Sequence, residues 1–309
     1  MATNLKVTEL DFADIKENLK AFLKQQTEFN DYDFDGSGMS VLLDVLAYNT
    51  HYNAMNAHFA LNEAFLDSAQ IRGNVVTRAK LLGYVPRSIL SPRATVTITV
   101  NVAGESGTIP TTLTLPRGTK LKTLIGGEEF QYVVLANHTA PLTSNQFVFS
   151  NITICEGSFR EIKYRVDNDI ENQKFQLSDD NADTSTLRVR VQENEESSAF
   201  DIYTKFENLS TVNEETKTYY LQQNSNEYFE IYFGDGVTGF KPVNNNIVTL
   251  DYIVTKGKES NGAGGAVNST TGFSMVDNVG GFSTITVQTK SLSAGGVEEE
   301  TSESIRFNA

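Results

Sequence analysis

Three stretches of this sequence carry residue types whose spacing could do chemistry. Gly234-Asp-Gly236-Val-Thr-Gly239 is a literal GxGxxG that follows an apolar, strand-like run. A dinucleotide site needs a helix directly after it, because the helix N-terminus holds the pyrophosphate. Here Pro242 and Asn244-Asn-Asn246 follow, then another strand pattern, so Gly234, Asp235, Gly236 and Gly239 read as a structural turn. The expectation is a hairpin-like reversal with glycines at positive φ. Asp31-Tyr-Asp33-Phe-Asp35-Gly36-Ser37 matches the first half of an EF-hand calcium loop. The bidentate Glu at loop position twelve is missing, and Leu42 stands there. A polar loop capping the helix from Ser40 is the preferred reading. Asp44, His51 and His58 recur at heptad spacing on one helical face. Seven residues set neighbours ~10.5 Å apart along the axis, too far for one ion to bind both histidines. Helix neighbours such as Tyr48 and Asn62 should satisfy them, and His138 sits in a loop-like segment.

The single cysteine, Cys155, excludes an internal disulfide framework and lies in an apolar run, as a buried, inert thiol would. No GxSxG, Walker A, HExxH or CxxC is present, and nothing singles out a carboxylate pair for acid–base work. The sequence therefore points away from an enzyme and away from a cofactor, a metal or a small-molecule substrate.

Composition agrees with a structural reading. The chain has 309 residues, enough for two or three domains. Phe (19) and Tyr (12) can furnish cores, while Trp is absent, which removes a common anchor of sugar stacking. A net charge of −14 argues against nucleic acid as a partner, because phosphate affinity comes from Lys and Arg. No apolar run approaches the ~20 residues of a membrane span, and no leader-like apolar stretch opens the chain, so the sequence reads as soluble and made in a cytoplasm. Charge is sorted along the chain. Between Ser68 and Gly127 eight basic residues face one acid, Glu105, a surplus of seven positive charges that leaves −21 elsewhere. Subunits that meet neighbours have a use for such sorting. Arg72, Arg78, Arg87 and Arg93 are accordingly candidate interface residues toward an acidic surface.

The elements that must position these residues change character near residue 90. Phe12, Ile15, Leu19, Phe22 and Leu23 repeat with helical spacing after Asp11, a suitable N-cap, and Lys16, Lys20 and Lys24 stripe a face that reads as solvated. In a longer helix, Val41, Val45, Tyr48, Tyr52, Met55 and Phe59 alternate steps of four and three, and Leu42, Leu46, Leu61 and Phe65 widen the apolar surface. A third helix, Ile71 to Leu82, stops at Gly83 with Pro86 behind it. The long helix is apolar around much of its circumference and needs burial on more than one side, so Val41, Leu42 and Leu46 join the candidate interface. The region is expected to extend away from the β-part rather than form its own globule. From Ala94 the period becomes two, with Val96, Ile98, Val100 and Val102 alternating with polar residues. Further strands are expected at Leu113–Pro116, Gln131–Leu135, Gln146–Cys155, Leu187–Val191, Tyr228–Phe233, Ile247–Thr255 and Phe282–Thr289. The fold class is α+β: an N-terminal helical region, then antiparallel, sandwich-like β-domains. The division expected is a helical region over 1–88, a first β-domain over 89–155, a second β-region over 156–292, and over 293–309 the start of a truncated C-terminal domain, since Glu298, Glu299, Glu300, Thr301 and Ser302 look like a helix N-terminus.

Several segments, taken in order, carry a resemblance. Asp35–His51, Ala64–Gln70 and Ala79–Pro86 resemble the N-terminal helical region of the baseplate wedge proteins of T-even-like contractile-tailed phages. Leu113–Thr119 resembles the strand turn of the wider baseplate J-like family, Tyr232–Val237 and Asn261–Ala263 its later β-region, and Gly295–Thr301 the opening of its next domain. The resemblance implies a virion component of the tail baseplate, assembled in the bacterial host cytoplasm. It implies a ring around the central hub and contacts with a second copy of itself and other baseplate wedge proteins. It implies no catalytic residues. The competing reading is a β-rich receptor- or sugar-binding tail module, which a long helical region does not suit.

Overall fold

The computed structural model describes residues 11–29, 31–105, 108–208 and 212–309. The chain divides into two compact units, Met1–Arg78 and Ala79–Ala309.

The first unit is helical. α1 (Phe12–Lys24) begins where Asp11 accepts hydrogen bonds from the Ala13 and Asp14 amides, the side-chain cap its position suggests. α2 (Met39–Asn62) begins at Gly38 without a side-chain cap, so Ser40 lies inside the first turn rather than at its start. α3 (Arg72–Leu81) follows, and the boundary between the units falls within it. The Glu63 carboxylate, 7% exposed, accepts from the Gln70 amide at 2.8 Å and from Asn74 Nδ2 at 2.8 Å, at the approach to α3. Negative charge belongs at that end of a helix. α1 packs on α2 with Ile15, Phe34, Leu43 and Ala47 buried, so the region does form a small globule, contrary to expectation. The lysine stripe is not simply solvated: Lys16 meets Asp44 at 2.6 Å, and Lys20 meets Asp35 at 2.6 Å and Glu17 at 3.1 Å.

The second unit is built of strands. Among the described residues these are β1 (Arg93–Asn101), β2 (Thr112–Leu115), β3 (Lys120–Ile125), β4 (Glu128–Val134), β5 (His138–Thr143), β6 (Gln146–Glu156), β7 (Ser158–Arg165), β8 (Phe175–Gln176), β9 (Ala182–Gln192), β10 (Phe200–Lys205), β11 (Thr218–Gln223), β12 (Phe229–Phe233), β13 (Ile247–Val254), β14 (Ser274–Met275) and β15 (Ile285–Ala294). A short helix, α4 (Ser302–Asn308), starts at Thr301, whose hydroxyl accepts from the Ser304 amide. His138 opens a strand and does not lie in a loop.

One sheet runs β14-β3-β4-β6-β1-β15, with β5 joining β6 and β2 joining β5. A linear division at residue 155 would place residues 274–294 with the later strands. Instead β15 pairs antiparallel with β1, Ile98 opposite Val287, because β1 offers an unpaired edge on the side away from β6. The other sheet runs β7-β13-β9-β10-β11-β12-β8. All its pairings are antiparallel except the short parallel contact of β10 with β11. The two sheets do not stack into one sandwich. Ala94, Val96, Ile98, Tyr132, Phe147 and Ile154 belong to one core and Val189, Tyr219, Ile231, Leu250 and Tyr252 to another. Alternation explains this: the apolar side of each strand turns to its own sheet's interior, as in β1. Val133, Cys155 and Ile253 form a small third cluster where the sheets meet. At the same junction Arg117 Nη1 contacts Asp251 Oδ2 at 2.6 Å, and its guanidinium carbon lies 3.8 Å from the centroid of the Phe159 ring.

Candidate functional site

The turn after β12 is held by its aspartate. Asp235 Oδ1 accepts from the Val237 amide at 2.9 Å, the Thr238 amide at 2.8 Å and the Thr238 hydroxyl at 3.1 Å. These donors, led by the Thr238 amide, hold its carboxyl down at about 2. The Gly236 amide donates to Gly239 O at 3.1 Å, and the two glycines have φ of 92° and 105°. Gly234 has no positive φ; a Cβ there would meet Thr238 O and Gly239 O at 2.4 Å each. The loop folds on itself and is followed by no helix, so it presents no amide cradle to a pyrophosphate. The hairpin expectation fails: β12 is followed by β13, which lies on the far side of β9, β10 and β11 in the sheet.

The other chemistry-bearing residues are spent on structure. Asp33 accepts from the Asp35 and Gly36 amides at 3.1 and 3.2 Å, and Asp35 is paired with Lys20. Asp44 is paired with Lys16. His51 is half-buried and His58 exposed on α2, and rings pair at Tyr48–Tyr52, 4.7 Å between centroids. Cys155 is fully buried, and burial pushes its thiol up to about 11, which suppresses the thiolate.

The interface candidates fall on both units. α2 buries only Leu43 and Ala47 against its own unit. Val41, Leu42, Val45, Leu46, Tyr48, Tyr52, Met55, Phe59 and Leu61 remain between 48% and 64% exposed, and Phe65 beyond the helix is 61% exposed. Such a run far exceeds the scattered apolar residues of an ordinary surface. Arg72 and Arg78 are half-buried on α3. In the second unit Arg87 is exposed and donates to Glu298 O at 3.1 Å, and Arg93, exposed at the start of β1, donates to Ser185 Oγ at 3.1 Å.

Sequence reasoning missed a hub at Glu300. Its carboxylate, 4% exposed, accepts from Tyr84 Oη at 2.8 Å, the Arg87 amide at 2.9 Å, Ser304 Oγ at 2.8 Å and Asn308 Nδ2 at 2.8 Å. Burial alone would raise its pKa, and the Arg87 amide leads the donors that bring it below the ordinary value. Residues 293–309 therefore bind back on residues 84–90, where Leu90 also pairs with Val297. A run of Glu beside a helix start was legible; its partners more than 200 positions away were not.

The first unit carries a helix with a wide exposed apolar stripe, and the second carries two β-cores. Residues 11–84 match the family of the helical domain of gp6-like baseplate wedge proteins. Among individual relatives, the chain is similar to the baseplate wedge protein gp6 of Enterobacteria phage T4, with 27% identity across 89% of this chain. It spans 42% of that relative's length. A chain of the six-fold symmetrised cryo-EM baseplate of the anti-feeding prophage aligns over 99% of this chain and 60% of its own, at 11% identity and a TM-score of 0.30.

Proposed function

We propose that this chain is a structural, non-catalytic subunit of a contractile-tail baseplate wedge, located in the virion and assembled in the host cytoplasm. It acts through protein–protein contacts, with no membrane, nucleic-acid or small-molecule role. The similarity to a phage wedge protein supports the class of function, and one observation carries the mechanism: the exposed apolar side of α2. Val41, Val45, Tyr48, Tyr52, Met55 and Phe59 follow the 3.5-residue repeat that lets two helices interdigitate side by side. A second copy of this chain is the partner for that stripe, with helices of other wedge proteins beside it.

Sedimentation equilibrium of the full chain over a range of concentrations tests this. The reading expects a concentration-dependent dimer or higher species. A monomer throughout, at concentrations up to about 100 μM, where a Kd above that value means less than ~5.5 kcal/mol of association, removes self-pairing from the proposal.

A further inference from the structure

A cavity of about 560 Å³ opens between the segment Val85–Leu90 and the strands β9, β10 and β11. Its apolar lining comes from Val85, Leu90, Leu187, Ile202 and Leu221. Its charged lining is of one sign. Arg87, Arg188 and Lys205 stand around it, and no Asp or Glu is among the lining residues, in a chain with 39 acidic residues against 25 basic ones. Among the described residues none of the three cations forms an ion pair, although Arg87 gives one N–H to Glu298 O. Asp201, whose charge reaches Tyr203, is itself held by Lys217 at 2.6 Å.

Two buried phenols add to this. Tyr203 and Tyr219 line the same cavity and are 3% and 4% exposed. Burial pushes both hydroxyls up to about 12, so they remain neutral donors. Neither hydroxyl has a hydrogen-bond partner among the described residues, and neither oxygen is sealed from solvent, so water reaches both. The other hydroxyls there are already used. Ser88 contacts Thr184 at 2.8 Å, and Ser185 donates to Asp183 and accepts from Arg93. A hydroxyl satisfied only by water is free to give its hydrogen bond to an acceptor that a bound segment brings in the water's place.

We propose that this cavity docks an acidic, aliphatic peptide segment of a partner protein, its carboxylate received by Tyr203, Tyr219 and the surrounding Arg87, Arg188 and Lys205. The proposal deepens the assembly reading and rests on it. Carboxylate is the acceptor that suits phenol and guanidinium donors together, and charge-assisted bonds of this type are the stronger ones. The cavity lies within the ~300–1,000 Å³ of pockets that hold an organic ligand, several times what a lone anion fills. Its aliphatic walls call for a side chain next to the charge. The bonding is all donation from the protein, so a basic segment is rejected by the same residues that hold an acidic one.

The test uses the full chain and a fluorescein-labelled peptide of alternating Glu and Leu, with a twin carrying Gln for every Glu, measured by fluorescence anisotropy. The acidic peptide should bind and the twin should bind at least about tenfold more weakly. Replacing Tyr203→Phe and Tyr219→Phe together removes only the two hydroxyls and should weaken the acidic peptide by about tenfold or more, leaving the twin unchanged. Arg188→Gln with Lys205→Gln, both at exposed positions, should do the same and abolish much of the salt dependence. Should the phenylalanine pair fail to fold, as a melting curve shows, the glutamine pair still decides. No binding of the acidic peptide, equal binding of the twin, or indifference to both pairs overturns the proposal. So does competition by acetate as effective as by unlabelled peptide, which makes the cavity a small-anion site, or displacement by a second copy of this chain. The cavity variants leave α2 untouched, so unchanged sedimentation with lost peptide binding, or the reverse, separates this inference from the assembly reading.

Discussion

The exposed side of α2 allows a substitution whose effect on assembly and on folding should separate cleanly. Val41, Leu42, Val45 and Leu46 are 64%, 57%, 61% and 52% exposed, so more than half of each side chain is already in water in the isolated chain. Full burial of such a side chain is worth ~1.5–3 kcal/mol, and burying the exposed half in an interface recovers ~1 kcal/mol each. Changing all four to Gln therefore removes ~4 kcal/mol per copy from association, and twice that where both copies contribute the same face. At ~1.4 kcal/mol for each tenfold, the dimer constant should weaken at least a thousandfold. Folding should hardly change, because Leu43 and Ala47 keep the contact with α1, Gln is a good helix former, and exposed substitutions stay within ~0.5 kcal/mol. Sedimentation reports the first quantity and urea denaturation, monitored at 222 nm under ~10 μM protein, the second. A variant that associates like the parent, or one that loses several kcal/mol of stability as a monomer, refutes the reasoning: the first because the face is not the interface, the second because it is not free.

Four further outcomes follow from the second unit. Gly157 has φ of 118°, and a Cβ there would meet Val254 O at 2.3 Å and Ile253 Cγ2 at 2.6 Å, so Gly157→Ala should cost ~3 kcal/mol or more. Gly236→Val has open space and a φ of 92°, so it should cost only ~1–2 kcal/mol; equal denaturant midpoints for the two variants would contradict this. Asp235 has a folded pKa of about 2, below the ~3.9 of an unfolded Asp, so its contribution to stability is complete above ~pH 5 and lost as pH falls through 4 toward 2. Asp235→Asn should flatten the urea midpoint over that window, and a curve parallel to the parent's would rule the turn out as a source. Arg117→Gln strands Asp251, whose side chain is 6% exposed, and should cost ~3 kcal/mol, while adding Asp251→Asn should restore part of it; additive losses would mean the pair is not coupled.

What the sequence disclosed follows from how far each signal reaches. β1 was legible because Val96, Ile98 and Val100 alternate with threonines, and the period is set by the pleat itself. β5 was not, since Pro141 and His138 break the strand signature and the strand divides its pairing, His138–Pro141 with β2 and Leu142–Thr143 with β6. β7 reads as polar because Arg160, Glu161, Lys163 and Arg165 charge an edge strand, a device that blocks further pairing and hides the strand from a hydrophobicity count. The pairing of β1 with β15 and the bonding of Glu300 to Tyr84 join positions about two hundred residues apart, which no local pattern encodes. Of the interface candidates, Val41, Leu42 and Leu46 were found by excess apolarity, and Arg87 by charge; Tyr203 and Tyr219 could not be, because a strand tyrosine with an idle hydroxyl looks like any other core tyrosine until its neighbours are known.

On α2 the same excess that exposed the candidates also hid the orientation of the helix. Two apolar stripes compete there, Leu43 with Ala47 and the heptad run from Val41 to Phe59, and the heptad run is the longer. A rule that buries the more regular stripe turns the helix the wrong way. The structure seats the shorter, smaller stripe on α1, whose own apolar positions are few: Ile15 is its single buried residue. A 13-residue helix offers too little surface to cover a 24-residue one, so the wide stripe stays outside whichever way α2 turns. Sequence that commits this much Leu, Val, Tyr and Phe to one helix and supplies one short helix to meet it has set the shortage in advance. On the proposed reading another chain supplies the missing surface, and the coiled-coil spacing of the exposed stripe makes a helix its best-fitting shape.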